Sequence, residues 1–238
     1  MAGHSKWANI QHRKNAQDAK RGKLFTKLIR EITVSASQGG ADTATNPRLR
    51  TAVDKALSNN MTRDTVERAI KRGAGGAEGK NIASICYEGY GPGGVAVLVE
   101  CLTDNRNRTA GEVRHAFTKS GGNLGTEGSV SYLFSKRGMI TFAPGKQNEK
   151  ILEIALEQDV LDVIDHEDLS VDVIIEPSKF EMVKKIFDQK KINYAHADVT
   201  LLAATQVSVE EETQEKINKL IEMLEDLDDV QDVYTNCL

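Results

Sequence analysis

The sequence predicts an α+β, multidomain chain: an N-terminal three-helix domain followed by two α+β, ferredoxin-like domains, the third inserted into the second. Three observations carry this. Apolar residues recur at helical spacing through the first 80 residues, the pattern changes to strands after a glycine-rich stretch at Gly73–Gly79, and the order strand-helix-strand-strand-helix-strand from Gly138 leaves a helix and a strand over at the end. At 238 residues, with 39% hydrophobic and 28% charged side chains, the chain can bury two or three ordinary cores, which excludes wholesale disorder and fibrous classes.

Residues 15 to 37 place Phe25, Leu28, Ile29, Ile32 and Ala36 on one helical face, and Gly39-Gly40 ends the helix. Asn46-Pro47 supplies an N-cap and a first-turn proline for a second helix with Leu49, Val53, Ala56 and Leu57 inward. A third opens at Thr62, buries Val66, Ala69 and Ile70, and stops at Gly73. Strands follow at Ile85–Tyr90 and Val95–Thr103, joined by the turn Gly91-Pro92-Gly93-Gly94, then a helix at Arg108–Lys119 and a strand at Ser129–Phe134.

From Gly138 come a strand (139–142), a helix (149–158), two strands (160–165 and 170–175), a helix (179–190) and a strand (194–202). The remaining helix at 211–227 and strand at 230–234 complete the interrupted unit. The expected domains are therefore residues 1–80, basic and helical; residues 81–135 with 204–238; and the acidic ferredoxin-like insertion 136–203.

The formal net charge of −4 conceals a segregation. Residues 1–80 hold 16 basic and 7 acidic side chains, net +9, and the other 158 hold 15 against 28, net −13. The first 30 residues carry eight Lys or Arg against Asp18 alone. Such a basic head, with Lys6, His12, Arg13, Lys14, Lys20, Arg21, Lys23, Lys27 and Arg30 around the single Trp7, suits phosphate neutralisation with an indole available to stack on an unpaired base. The alternatives are a solvated helix face and a Trp7 packed into its own domain. At 100° per residue Lys20, Lys23, Lys27 and Arg30 share a sector of roughly 80° opposite the apolar face.

A second cationic segment, Asp104-Asn105-Arg106-Asn107-Arg108-Thr109, lies between a strand and a helix. Arg106, Arg108, Arg114 and Lys119 are its candidate phosphate contacts, because guanidinium forks fit phosphate oxygens and helix N-termini favour anions. The competing reading is intramolecular pairing of these arginines with Glu112, Asp104 or the acidic tail. In that tail, Glu210–Glu212 reads as a charged helix start and Asp226–Asp229 as a solvated turn, although acids after a helix C-terminus lack the dipole's support.

Catalytic signatures are missing from the sequence: no GxxxxGK[ST], GxSxG or HExxH occurs, and the five histidines are dispersed. No enzyme activity, metal or cofactor is expected. The glycine-rich Gly121–Gly128 reads as a turn or recognition loop; it offers backbone N–H groups to a phosphate but has no Lys and opens no helix. Cys86, Cys101 and Cys237 are too few and too scattered for a disulfide framework, and with neither a signal peptide nor a membrane span the chain is expected to be cytosolic.

The stretches MAGHSKWANIQHRKNAQDAKRGKLFTKLIREI, NPRLRTAVDKALSNNMTRDTVERAIKRG, YEGYGPGG, DNRNRTAGEVRHAF and LEDLDDVQDVY strongly resemble the YebC/PmpR family over nearly the whole chain. That resemblance implies three domains and a cytoplasmic, non-enzymatic DNA-binding transcriptional regulator. Other family members, mitochondrial ones included, resemble translation factors that act on the ribosome at proline-rich stretches, so the resemblance implies two functions. The expected partner is nucleic acid, either promoter DNA or ribosomal RNA and tRNA, with a protein partner on the acidic domain. Binding through phosphate and shape is better supported than base readout, since no convincing helix-turn-helix pair is present.

Overall fold

The computed structural model describes residue 7, residues 21–75 and residues 81–237. Among the described residues, 133–206 form one compact unit and 21–75, 81–132 and 207–237 form another.

In the larger unit, α1 (Arg21–Gly39), α2 (Pro47–Ser58) and α3 (Arg63–Gly75) enclose a core of Leu28, Ile32, Ala36, Leu49, Ala52, Ala56, Val66 and Ala69. Gly40, at φ +89°, closes α1 by donating its N–H to the Ala36 carbonyl. Asn46 caps α2 by accepting the Leu49 N–H, while its own amide donates to the carbonyls of Ser35 and Gly40, both at 2.8 Å. Helix α3 runs through the expected stop at Gly73. That glycine serves packing: a Cβ there would run into the Thr33 carbonyl, so α1 and α3 cross backbone to backbone.

The chain continues through β1 (Ala83–Tyr90), β2 (Ala96–Thr103), α4 (Arg106–Lys119) and the two-residue β3 (Asn123–Leu124). The smaller unit then supplies β4 (Phe134–Phe142), α5 (Asn148–Glu157), β5 (Asp162–Asp165), β6 (Val171–Ile175), α6 (Phe180–Gln189) and β7 (His196–Ala203). Last come α7 (Glu211–Glu225) and β8 (Val230–Thr235).

One antiparallel sheet has the order β3-β1-β2-β8, and α4 and α7 bury Val113, Phe117, Ile217, Leu220 and Leu224 against Val97, Val99 and Cys101. Its hairpin turn needs positive φ at Gly93 and Gly94. The other sheet, β5-β6-β4-β7, is the split β-α-β arrangement, with Ile151, Ile154, Val183 and Phe187 packed over Ile140, Phe142 and Val173.

The strand expected at Ser129–Phe134 does not form. Ser131–Leu133 is a 3-10 turn, because the backbone N–H groups of Gly128, Val130 and Ser131 all donate to the buried Glu88 carboxylate and none is left for a ladder. The strand expected at 139–142 is longer, since residues 134–138 pair with Ala203 through Val199. Among the described residues no helix is long and apolar enough to cross a membrane.

Candidate nucleic-acid interface

Burying Leu28, Ile32 and Ala36 fixes the roll of α1 and sends its lysines and arginine out on the opposite side. They meet the C-terminal end of α7. Lys27 Nζ donates to the Glu225 carbonyl at 2.8 Å, and Lys23 Nζ donates to the Asp226 carbonyl at 3.1 Å with its carboxylate 3.5 Å away. Helix α7 has no basic residue in its own last turn, so α1 provides the positive charge that a helix C-terminus favours. Burial lowers the Lys27 ammonium below its ordinary value, with Glu225 and Asp232 pulling the other way.

Arg30 extends the same seam. Its Nη1 donates to the Leu102 and Asp228 carbonyls and, at 2.7 Å, to Asp229 Oδ1. Lys55 of α2 adds an ion pair with Asp232 at 3.7 Å. Three of the predicted phosphate contacts, Lys23, Lys27 and Arg30, therefore already hold anionic or carbonyl oxygens of their own chain.

Asp229 is the centre of the arrangement and is only 2% exposed. Besides Arg30 it accepts from Arg108 Nη2 at 2.6 Å, from Thr109 Oγ1 at 2.8 Å and from Thr103 Oγ1 at 3.1 Å. Burial alone would raise its pKa, but the bonds from Arg108, Thr109, Arg30 and Thr103 outweigh it and hold the carboxyl down at about 2. This corrects the solvated-turn reading for Asp229, whereas Asp226 and Asp228 are exposed as that reading has them. The signal was present in the sequence: acids after a helix C-terminus demand cations, and two segments rich in unassigned cations were available.

Asn105 caps α4 by accepting the Arg108 N–H at 3.1 Å, which aims the Arg108 side chain back across the helix start to Asp104 and Asp229. Arg108 is thus paired within its own chain, as the competing reading expects. Arg106, Arg114 and Lys119 remain exposed and, among the described residues, make no ion pair. Lys119 lies in the last turn of α4, and the Arg106 carbonyl accepts the Tyr87 hydroxyl at 3.2 Å. On the helical wheel Arg114 stands roughly 140° from Lys119, so the two flank the exposed face and do not form one line.

The glycine-rich loop supplies its own anion. Glu88, buried to 4% exposure, takes the three N–H groups of Gly128, Val130 and Ser131 that would otherwise face a phosphate. Desolvation pushes its pKa up, and the backbone donors more than reverse this, leaving it below the ordinary carboxylate value. Sequence reasoning missed Glu88, which has no local motif. Trp7 is helical and half-buried. Lys6, His12, Arg13, Lys14 and Lys20 lie outside the described residues, and Arg21 is described only as the first residue of α1.

Comparison with known proteins covers nearly the full chain. The family profile described as the TACO1/YebC protein N-terminal domain matches residues 5–76, and that of the TACO1/YebC second and third domain matches residues 82–237. A "Probable transcriptional regulatory protein" of Francisella tularensis subsp. mediasiatica (strain FSC147) is 60% identical over 99% of this chain and 95% of its own length. A protein of the same name from F. tularensis subsp. holarctica (strain LVS) is 59% identical with the same coverage. The crystal structure of a conserved hypothetical protein, Aq1575 from Aquifex aeolicus, superposes with a TM-score of 0.84 at 46% identity, covering 98% of this chain and 97% of that one. Both halves of the chain thus match one family over almost every residue, and the protein is a member of the TACO1/YebC family.

Proposed function

We propose that this protein is a nucleic-acid-binding regulator of gene expression, not an enzyme, and that it grips phosphates with its basic N-terminal segment and with the exposed cations of α4, Arg106, Arg114 and Lys119. The observation that carries the reading is the segregation of charge, eight basic side chains against one acid in the first 30 residues of a chain that is acidic overall. The regulatory names of its Francisella relatives support the same class, with promoter DNA as the first target. Lys23, Lys27, Arg30 and Arg108 hold the scaffold together and contribute to the local potential, and Lys6, Arg13 and Lys14 are the leading contacts.

Fluorescence anisotropy with labelled duplex DNA tests this. The substitutions Lys6→Glu, Arg13→Glu and Lys14→Glu together are expected to weaken binding by about 10²-fold or more and to flatten its salt dependence. Unchanged affinity contradicts the proposal.

A second reading is a ribosome-associated translation factor that binds ribosomal RNA or tRNA, and it is favoured by the lone Trp7 within a basic segment, which suits unpaired bases better than a duplex. Co-sedimentation with ribosomes that survives DNase but not RNase supports that reading. Salt-resistant discrimination of a promoter from random DNA supports the first.

A further inference from the structure

In the smaller unit, apolar side chains gather at one edge. Of the eight large apolar or aromatic residues that are exposed among the described residues, six lie within residues 133–206, and five of these belong to α5, β5 or the chain next to them: Leu152, Leu156, Leu161, Ile164 and Leu169. Leu156 is 70% exposed and Leu169 59%. An exposed Leu is ordinary when single; a set along one edge is not.

Their placement follows from the backbone. Buried Ile151, Ile154 and Ala155 turn the inner face of α5 to the core, which leaves Leu152 and Leu156, one turn apart, on a flank of the helix. Helix α5 packs by β5, the outer strand of its sheet, which pairs on one side only, with β6. Leu161 has the same strand parity as the inward-facing Val163, so it lies on the helix-bearing side of that edge, and its N–H bonds the Ile174 carbonyl. Asn148, at the start of α5, donates to the Leu169 carbonyl, which brings the β5–β6 turn to the other end of the leucine row.

Charge selects the occupant. On α5, Glu149 and Glu153 stand roughly 40° and 80° from the centre of the leucine flank, whereas Lys150 stands roughly 140° away. Glu149, Glu153 and Glu167 are exposed and without an ion-pair partner among the described residues, and Asp162 and Asp165 are exposed on the edge strand itself. Lys190 and Lys179 are paired with Glu157 and Asp159, next to Leu156 in sequence, so the unpaired charge beside the apolar row is mainly acidic among the described residues; such a border repels phosphate and favours cations carried beside apolar side chains.

We propose that this α5–β5 edge is a docking surface for a basic, apolar segment of a partner protein. Leucines 152, 156 and 161 seat its apolar side chains, and Glu149 and Glu153 face its Lys or Arg. The surface is independent of the nucleic-acid reading, and its test uses no nucleic acid.

The ¹⁵N-labelled full chain is titrated with a synthetic peptide of about ten residues alternating Lys and Val, and with a matched peptide alternating Glu and Val. The expected result is saturable shifts of amides in residues 149–169 with the Lys peptide alone. Weakening of about tenfold is expected in a Leu156→Ser/Leu161→Ser variant and in a Glu149→Lys/Glu153→Lys variant, each with an unchanged amide spectrum elsewhere. The surface-charge variant keeps the test valid if the leucine variant fails to fold. Equal binding of the Glu peptide, shifts centred elsewhere, or no loss in the charge variant overturns the proposal. It is equally overturned if binding appears only after residues 1–20 are removed, which makes the chain's own N-terminus the occupant, or if ultracentrifugation shows the leucines joining two copies of the chain.

Discussion

Asp229 shows how a single carboxylate organises a seam. It sits almost out of water with two guanidinium groups and two hydroxyls directed at it, an arrangement in which removing the charge leaves Arg30 and Arg108 facing a site that no longer neutralises them. Asp229→Asn is expected to lower stability by about 2–4 kcal/mol in urea unfolding at neutral pH. The folded carboxyl is held at about 2 against an ordinary 3.8, so its contribution is complete above pH 4 and is lost as pH falls from about 4 towards 2. Stability measured through that window should decline more steeply in the wild type than in Asp229→Asn. Parallel curves contradict the assignment.

Glu88 acts in the same way on a smaller scale. In Glu88→Gln one oxygen becomes a donor facing donors, and hydrogen exchange at the Gly128, Val130 and Ser131 amides is expected to speed up by about tenfold or more, with the α4 amides unaffected.

At the scale of elements, the features decided by neighbouring residues were legible in the sequence. Asn46 before Pro47, the Gly39-Gly40 stop and the glycine turn after β1 each satisfy a local backbone requirement, and each stands where the residues indicate. Features decided at long range were not. The stretch Ser129–Phe134 has strand composition, but a carboxylate some 40 residues earlier claims its N–H groups. Gly73 reads as a helix stop and is instead the point where α3 touches the backbone of α1. Gly73→Ala should therefore cost about 1–3 kcal/mol by forcing that crossing apart. Gly75→Ala, where an added Cβ meets nothing within 4 Å, is expected to be neutral or to stabilise by a few tenths of a kcal/mol. Thermal denaturation of both variants checks the contrast.

At the scale of the molecule, the charge pattern remains the main clue, and the structure alters how it is used. The basic head and the acidic tail are not simply two poles: Lys23, Lys27 and Arg30 meet the end of α7, and Arg108 meets Asp229, across 121 residues of sequence. A helical wheel shows that a stripe is cationic but not what lies opposite it, so these residues read as phosphate contacts when the sequence is taken alone. Of the predicted phosphate contacts among the described residues, Arg106, Arg114 and Lys119 of α4 are the exposed ones that make no ion pair.

The salt dependence of binding shows whether the exposed α4 cations contact phosphate. Anisotropy with labelled duplex DNA, and separately with a ribosomal RNA fragment, is measured from low to physiological salt for the wild type and for an Arg106→Gln/Arg114→Gln/Lys119→Gln variant. If these side chains release counterions from phosphates, the slope of log affinity against log salt on duplex DNA falls in magnitude by about 2–3, with a change in the same direction on the RNA fragment. An unchanged slope and affinity on both probes contradicts the account.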